Sequence, residues 1–94
     1  MATIQTNFEE LYTFAKNLDN FTNELEYQMD KLVSETNNVT GYSWQGRQAD
    51  DFAALIADTD KDLQDQIASL RDLVDAINEK ARKLEEAARR KFER

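Results

Sequence analysis

The chain has 94 residues with no Cys, no His and no Pro, and it carries a net charge of −7. It therefore lacks a disulfide framework, a thiolate nucleophile, an imidazole base and the usual zinc ligands, and its acidic balance disfavours nucleic acid, whose phosphates are bound by clustered Lys and Arg. So short a chain makes a single domain, 1–94, with too little core to be comfortable alone, and association is expected.

The first residues, Met1-Ala2-Thr3-Ile4-Gln5, show no basic stretch ahead of an apolar core, and no apolar run is long enough to span a bilayer. Any export is expected to bypass the signal-peptide route and to draw on a cytoplasmic pool, and membrane contact is not expected. Apolar or small side chains then recur at Ile4, Phe8, Leu11, Ala15, Leu18, Thr22, Leu25, Met29 and Leu32 in alternating steps of four and three. This is the heptad pattern of a helix packed along one seam. Thr6 and Glu9 fit a capping box, so the pattern predicts helix one from about residue 7 to about residue 38. Phe14 and Phe21 stand beside the seam and widen the stripe beyond what a two-stranded pairing covers. One face is expected to serve the hairpin and the other a second molecule.

The turn is expected over about 39–45. Residues 34–43 are rich in Ser, Thr and Asn, whose side chains compete with helical backbone bonds, and the only two glycines, Gly41 and Gly46, lie close together here. Ser43 is the expected N-cap of the next helix. Reversal at Gly41 sets Ile4 opposite Asn78 and leaves the rest of helix two overhanging its partner.

Helix two is expected over about 46–92. Phe52, Leu55, Ile56, Leu63, Ile67, Leu70, Val74, Ile77, Ala81, Leu84 and Ala88 continue the stripe, with one stutter between Thr59 and Ile67. Asp50 and Asp51 near its start and Arg89, Arg90 and Lys91 near its end suit the helix dipole. Residues 1–79 hold 5 basic and 16 acidic side chains and residues 80–94 hold 7 basic and 3 acidic, so an acidic body carries a basic tail. Glu79 with Lys83, Glu85 with Arg89 and Glu86 with Arg90 are spaced for i,i+4 pairs worth about 0.2–0.5 kcal/mol each, which favours a solvated helix over a lipid or nucleic-acid site.

No catalytic, cofactor-binding or metal residue is assigned. Asp58-Thr59-Asp60-Lys61-Asp62 imitates the start of a calcium loop, but Leu63 stands where Gly is needed and Ser69 where a closing Glu is needed. Paired carboxylates need a pocket that raises one pKa before they do acid–base work, and a hairpin has little concavity to provide one.

Trp44-Gln45-Gly46 joins the only Trp to a Gly placed where a helix has just begun, where Gly costs about 1 kcal/mol relative to Ala. Close approach of another group is one reason for such a Gly; a Trp that merely plugs the hairpin end is the plainer reading. With Ser43 before it, Ala49 and Phe52 after it, and a heptad helix on either side, this turn resembles that of the WXG100 family. The resemblance spans essentially the whole chain. It implies an antiparallel helical hairpin that dimerises into a four-helix bundle and is exported, folded, by a type VII secretion system of Gram-positive bacteria. It also implies that Trp44 and Gly46 form half of a bipartite recognition signal. The family's other half, a Tyr followed four residues later by Asp or Glu, has no counterpart: the last Tyr is Tyr42, and Phe92 precedes only Glu93 and Arg94. A shortened chain, a signal supplied by a partner and a role outside export all remain open.

The expected protein is thus all-α, an antiparallel helix-turn-helix hairpin forming a homodimeric four-helix bundle, non-enzymatic and without cofactors. Its core is expected to comprise Phe8, Leu11, Leu18, Leu25, Leu32, Phe52, Leu63, Ile67, Leu70, Val74 and Ile77, with Trp44 and Gly46 as the recognition turn toward the type VII machinery. Two rival readings stand beside it: a heterodimeric adaptor for a WXG100-like protein or for the helical N-terminus of a larger toxin, and a generic coiled-coil assembly protein.

Overall fold

A computed structural model describes residues 4–92. Helix α1 runs Ile4–Asn38, a π-helical turn follows over Val39–Ser43, and helix α2 runs Arg47–Phe92, making an antiparallel hairpin with no strand among the described residues. α1 begins about one turn ahead of the capping-box position; the Thr6 side chain lies outside the described residues. The chain packs as two units, one of residues up to 22 and from 69 onward, the other of residues 23–68. Each pairs a length of α1 with a length of α2.

The buried positions are Ala15, Thr22, Met29 and Thr36 in α1 and Ala49, Ile67, Val74, Ala81 and Ala88 in α2. All but Ala49 recur every seven residues, as two helices packed along a common seam require. Most of these side chains are small, which lets the helix axes approach closely. Thr22 is fully buried, and its hydroxyl donates to the Leu18 carbonyl at 2.7 Å, so the seam carries no unsatisfied polar group there.

The stutter expected in helix two does not occur. Half-buried Ala53, Ile56, Asp60 and Leu63 lead to buried Ile67 in steps of three and four, so the seam keeps its phase. The residue that breaks the apolar pattern is Asp60, whose carboxylate accepts a hydrogen bond from Gln64 Nε2 at 3.2 Å. A polar side chain at a seam position, and not a shift in winding, interrupts the sequence pattern.

The register also differs from the expectation. In the first unit Tyr12 donates its hydroxyl proton to Glu85 Oε1 at 2.9 Å, and Asn78 lines an open hollow with Tyr12, Ala15, Asp19 and Val74. With Tyr12 against Glu85, Asn78 falls opposite Asp19 and not opposite Ile4. The cause is the π turn: helical winding continues past Gly41 to Ser43, so the chain reverses later. Buried Ala81 and Ala88 lie within the stretch expected to overhang, which its own chain covers.

The hydrogen bond to Glu85 raises the Tyr12 pKa above its usual value, with desolvation and the Glu85 charge adding to it. A raised folded-state pKa means that this bond stabilises the hairpin fully below the ordinary tyrosine range and loses its contribution as pH rises through the raised value. Tyr12→Phe is expected to lower the unfolding temperature at neutral pH and to remove the highest-pH step from an ultraviolet tyrosine titration of the folded protein.

Along the exposed end of α2, Arg82 bridges Glu79 and Glu86, Arg89 approaches Glu85 at 3.9 Å and Arg90 approaches Glu86 at 3.7 Å. The expected partner of Glu79 was Lys83. Arg82 takes that carboxylate instead because its forked guanidinium reaches both oxygens, and this holds Glu79 below the usual carboxylate range.

Candidate functional site

Two features of the hairpin expose apolar side chains: the region of its turn and one side of the helix pair in each unit. At the turn, the Trp44 amide donates to the Val39 carbonyl at 2.8 Å, closing the wide i to i−5 turn. Trp44 then adopts extended backbone angles, φ −130° and ψ 113°, and the chain leaves the helix. Gly46 has φ +110°, and its carbonyl accepts the Asp50 amide at 3.0 Å, so Gly46 and not Ser43 is the N-cap of α2. Within the chain itself, no close approach of another group accounts for this glycine. A Cβ at Gly46 meets nothing within 4 Å. What excludes a side chain is the positive φ, a conformation that glycine adopts at no steric cost.

This backbone course lays the Trp44 ring against Phe52, with ring centroids 5.6 Å apart and planes at 48°. The indole remains 37% exposed, and Val39, Tyr42, Phe52 and Leu55 expose apolar surface in the same unit, Tyr42 to 83%. Sequence reasoning selected Trp44, Gly46 and Phe52 here and missed Val39 and Tyr42, whose exposure follows from the π turn and has no residue-type signature.

The two sides of the hairpin differ. In the first unit, one side holds the Tyr12–Glu85 bond and the hollow flanked by Asp19 and Asn78. The heptad positions of the other side are Leu11, Phe14, Leu18 and Phe21 in α1 and Leu70, Leu73, Ile77 and Leu84 in α2, because corresponding flanking positions of antiparallel helices fall together. Phe14, Phe21 and Leu73 are 53%, 59% and 47% exposed. In the second unit the same heptad positions are Leu25, Leu32, Phe52, Ile56 and Leu63, with Leu32 and Phe52 exposed.

Of the residues expected in a core, Ile67 and Val74 are buried; Phe8, Leu11, Leu18, Leu25, Leu63, Leu70 and Ile77 are half-buried; Leu32 and Phe52 are exposed. The fully buried seam is taken by smaller residues, because the bulky ones sit at flanking positions that a single hairpin covers on one side only. The segment 58–62 is regular helix, with the Thr59 hydroxyl donating to the Leu55 carbonyl at 2.8 Å, and no group able to hold a metal ion occurs among the described residues. No helix among them is long and apolar enough to cross a membrane.

These features define a class: an all-helical hairpin that presents a Trp-x-Gly turn and an apolar side. The model of the WXG100 family, described as proteins of 100 residues with WXG, matches residues 3–88, and the chain belongs to this family. It is therefore a small helical protein linked to type VII secretion, from a family whose members are non-enzymatic and typically pair with partners and with the secretion machinery. No curated protein and no solved structure matches the chain.

Proposed function

We propose that two copies pair through their apolar sides into a four-helix bundle, and that this dimer is a type VII secretion substrate or escort whose Trp44–Gly46 turn docks on the secretion machinery. The observation that carries the pairing is the exposure of Phe14, Phe21, Leu32, Phe52 and Leu73, with no aromatic or leucine side chain fully buried among the described residues. The accessible surface is 7252 Å², whereas a compact monomer of 10.9 kDa exposes about 5,600 Å². The excess exceeds the roughly 800 Å² that each partner contributes to a standard stable interface.

For the docking role, the support is geometric. Gly46 fixes the exit from the turn, Phe52 fixes the indole, and the exposed part of Trp44 stands ready for a partner. The proposal assigns recognition and no bond-breaking chemistry to the chain. It is tested by comparing the solution mass of wild type and Trp44→Ala over a dilution series, and export of both from a host with an active type VII system. Dimers near twice the chain mass for both proteins, with export lost only for Trp44→Ala, are expected. Undiminished export of Trp44→Ala overturns the docking role, and a monomer at every concentration overturns the pairing.

A further inference from the structure

The two units hold their helices together by different means. In the first, Ala15, Thr22, Val74, Ala81 and Ala88 make a buried seam, and the bond from Tyr12 to Glu85 joins one helix to the other. In the second, Thr36 and Asp60 take the seam positions on the turn side of Met29 and Ile67. Thr36 and Asp60 are equally far along the chain from the Trp44–Phe52 contact, as are Met29 and Ile67, so each pair falls at one level of the seam. A hydroxyl and a carboxylate thus stand where the next level has a methionine and an isoleucine. The half-buried Asp60 carboxylate accepts from Gln64 of its own helix at 3.2 Å. Thr40 and Thr59 turn their hydroxyls back onto the Thr36 and Leu55 carbonyls at 2.8 Å, so none of these three bonds joins α1 to α2. Charge divides the same way: residues 23–68 hold 10 acidic and 3 basic side chains, net −7, while the remaining residues hold 9 of each sign.

We infer that the turn-bearing unit is the half of the hairpin built to open, its helices parting locally and reversibly while those of the first unit stay paired, and that Asp60 sets how readily this happens. A carboxylate held at a seam loses water that it regains when the helices part, whereas an apolar residue there resists parting. A net charge of one sign adds repulsion that opening relieves and salt screens. Threonines bonded back to their own helix loosen that helix and give nothing to its neighbour. All three effects act on the same stretch, and the helices themselves remain intact. Trp44 packs on Phe52 within this unit, so each opening releases the indole from its support. The inference adds to the docking proposed above a turn whose indole is held in place only while the unit is closed. It does not rest on that docking, because the opening belongs to the free chain.

Native-state hydrogen exchange, resolved residue by residue on the full chain, tests this with wild type, Asp60→Asn and Asp60→Leu. Each is measured at two protein concentrations, so that any protection contributed by pairing shows as a concentration dependence and is told apart from the opening itself. In wild type at low salt, amides near Thr36 and Asp60 are expected to exchange at least about ten-fold faster, relative to their unstructured rates, than those near Thr22 and Val74. Asp60→Leu is expected to slow the second unit on the order of ten-fold and to leave the first nearly unchanged, with Asp60→Asn between the two chains. Raising NaCl is expected to slow wild-type exchange in the second unit more than in the first. Quenching of Trp44 fluorescence by acrylamide, a reading on the only tryptophan, is expected to fall in Asp60→Leu. Equal protection of both units in wild type, or a slowing by Asp60→Leu spread evenly along the chain, overturns the inference. Either result leaves the docking role standing, since that is decided by export of Trp44→Ala.

Discussion

Replacing Phe14 and Phe21 together by glutamate will raise the dimer Kd on the order of a thousand-fold or more, because burial of each phenylalanine contributes about 1.5–3 kcal/mol and a dimer contains four of these sites. In a lone chain the two side chains are 53% and 59% exposed, so the same change removes little packing from the hairpin itself. That asymmetry makes the experiment informative. Sedimentation or light scattering is expected to show monomers at concentrations where wild type is dimeric, with helix content no lower than that of wild type diluted to the monomer. Glu26 and Asp60 already place carboxylates at half-buried positions without breaking the helices, so added charge alone does not unfold this scaffold. If the double variant remains dimeric, the interface lies elsewhere and the apolar side has another role.

The second large effect is at the turn, where the two glycines are expected to respond in opposite ways. Gly46 has φ +110°, and an L-alanine there is strained by at least about 1–2 kcal/mol. For a chain of this size each kcal/mol moves the unfolding temperature by roughly 4–8 °C. No atom lies within 4 Å of the added Cβ, so the loss comes from the backbone and not from a clash. A D-alanine at 46, introduced by chemical synthesis, is expected to match or exceed the wild-type stability. Gly41, inside the π turn and without positive φ, has equally open surroundings. Gly41→Ala is expected to raise stability by about 0.4–1 kcal/mol through a less flexible unfolded chain. Thermal unfolding of the three variants checks the set, and a neutral L-alanine at 46 would remove the conformational account of this residue.

Both helices and the position of the turn were legible in the amino-acid pattern, because a 3.5-residue apolar repeat with no proline permits little else than helix, and the glycines mark the interruption. Ile67 and Val74 were readable as inward-facing for the same reason. Other parts were not readable, each for a physical reason. A π turn has no residue signature of its own, so the reversal was set at Gly41 and the register of the two helices came out shifted. Asp60 was invisible as a seam residue because periodicity is read from apolar side chains. The need for glycine at 46 was felt as an energetic oddity, but its cause is a dihedral angle, which composition does not encode. Leu32 and Phe52 were expected in the core of the dimer or hairpin, and their exposure in one hairpin was not readable because a sequence shows how many faces are apolar and not how many of them a single hairpin covers.

The wide turn at Val39–Ser43 carries a consequence for how this chain tolerates change in length. Most loops absorb an inserted or deleted residue at the surface with little effect on what flanks them. Here helical winding leads directly into Trp44, so one residue more or fewer between Thr36 and Trp44 rotates the indole by about 100° around the axis of α1 and takes it off Phe52. If the turn docks as proposed, the count of residues between the last buried position of α1 and the tryptophan matters as much to that docking as the letters of the motif. A variant that keeps Trp44, Gln45 and Gly46 but loses one residue of the preceding turn keeps the word and loses its address.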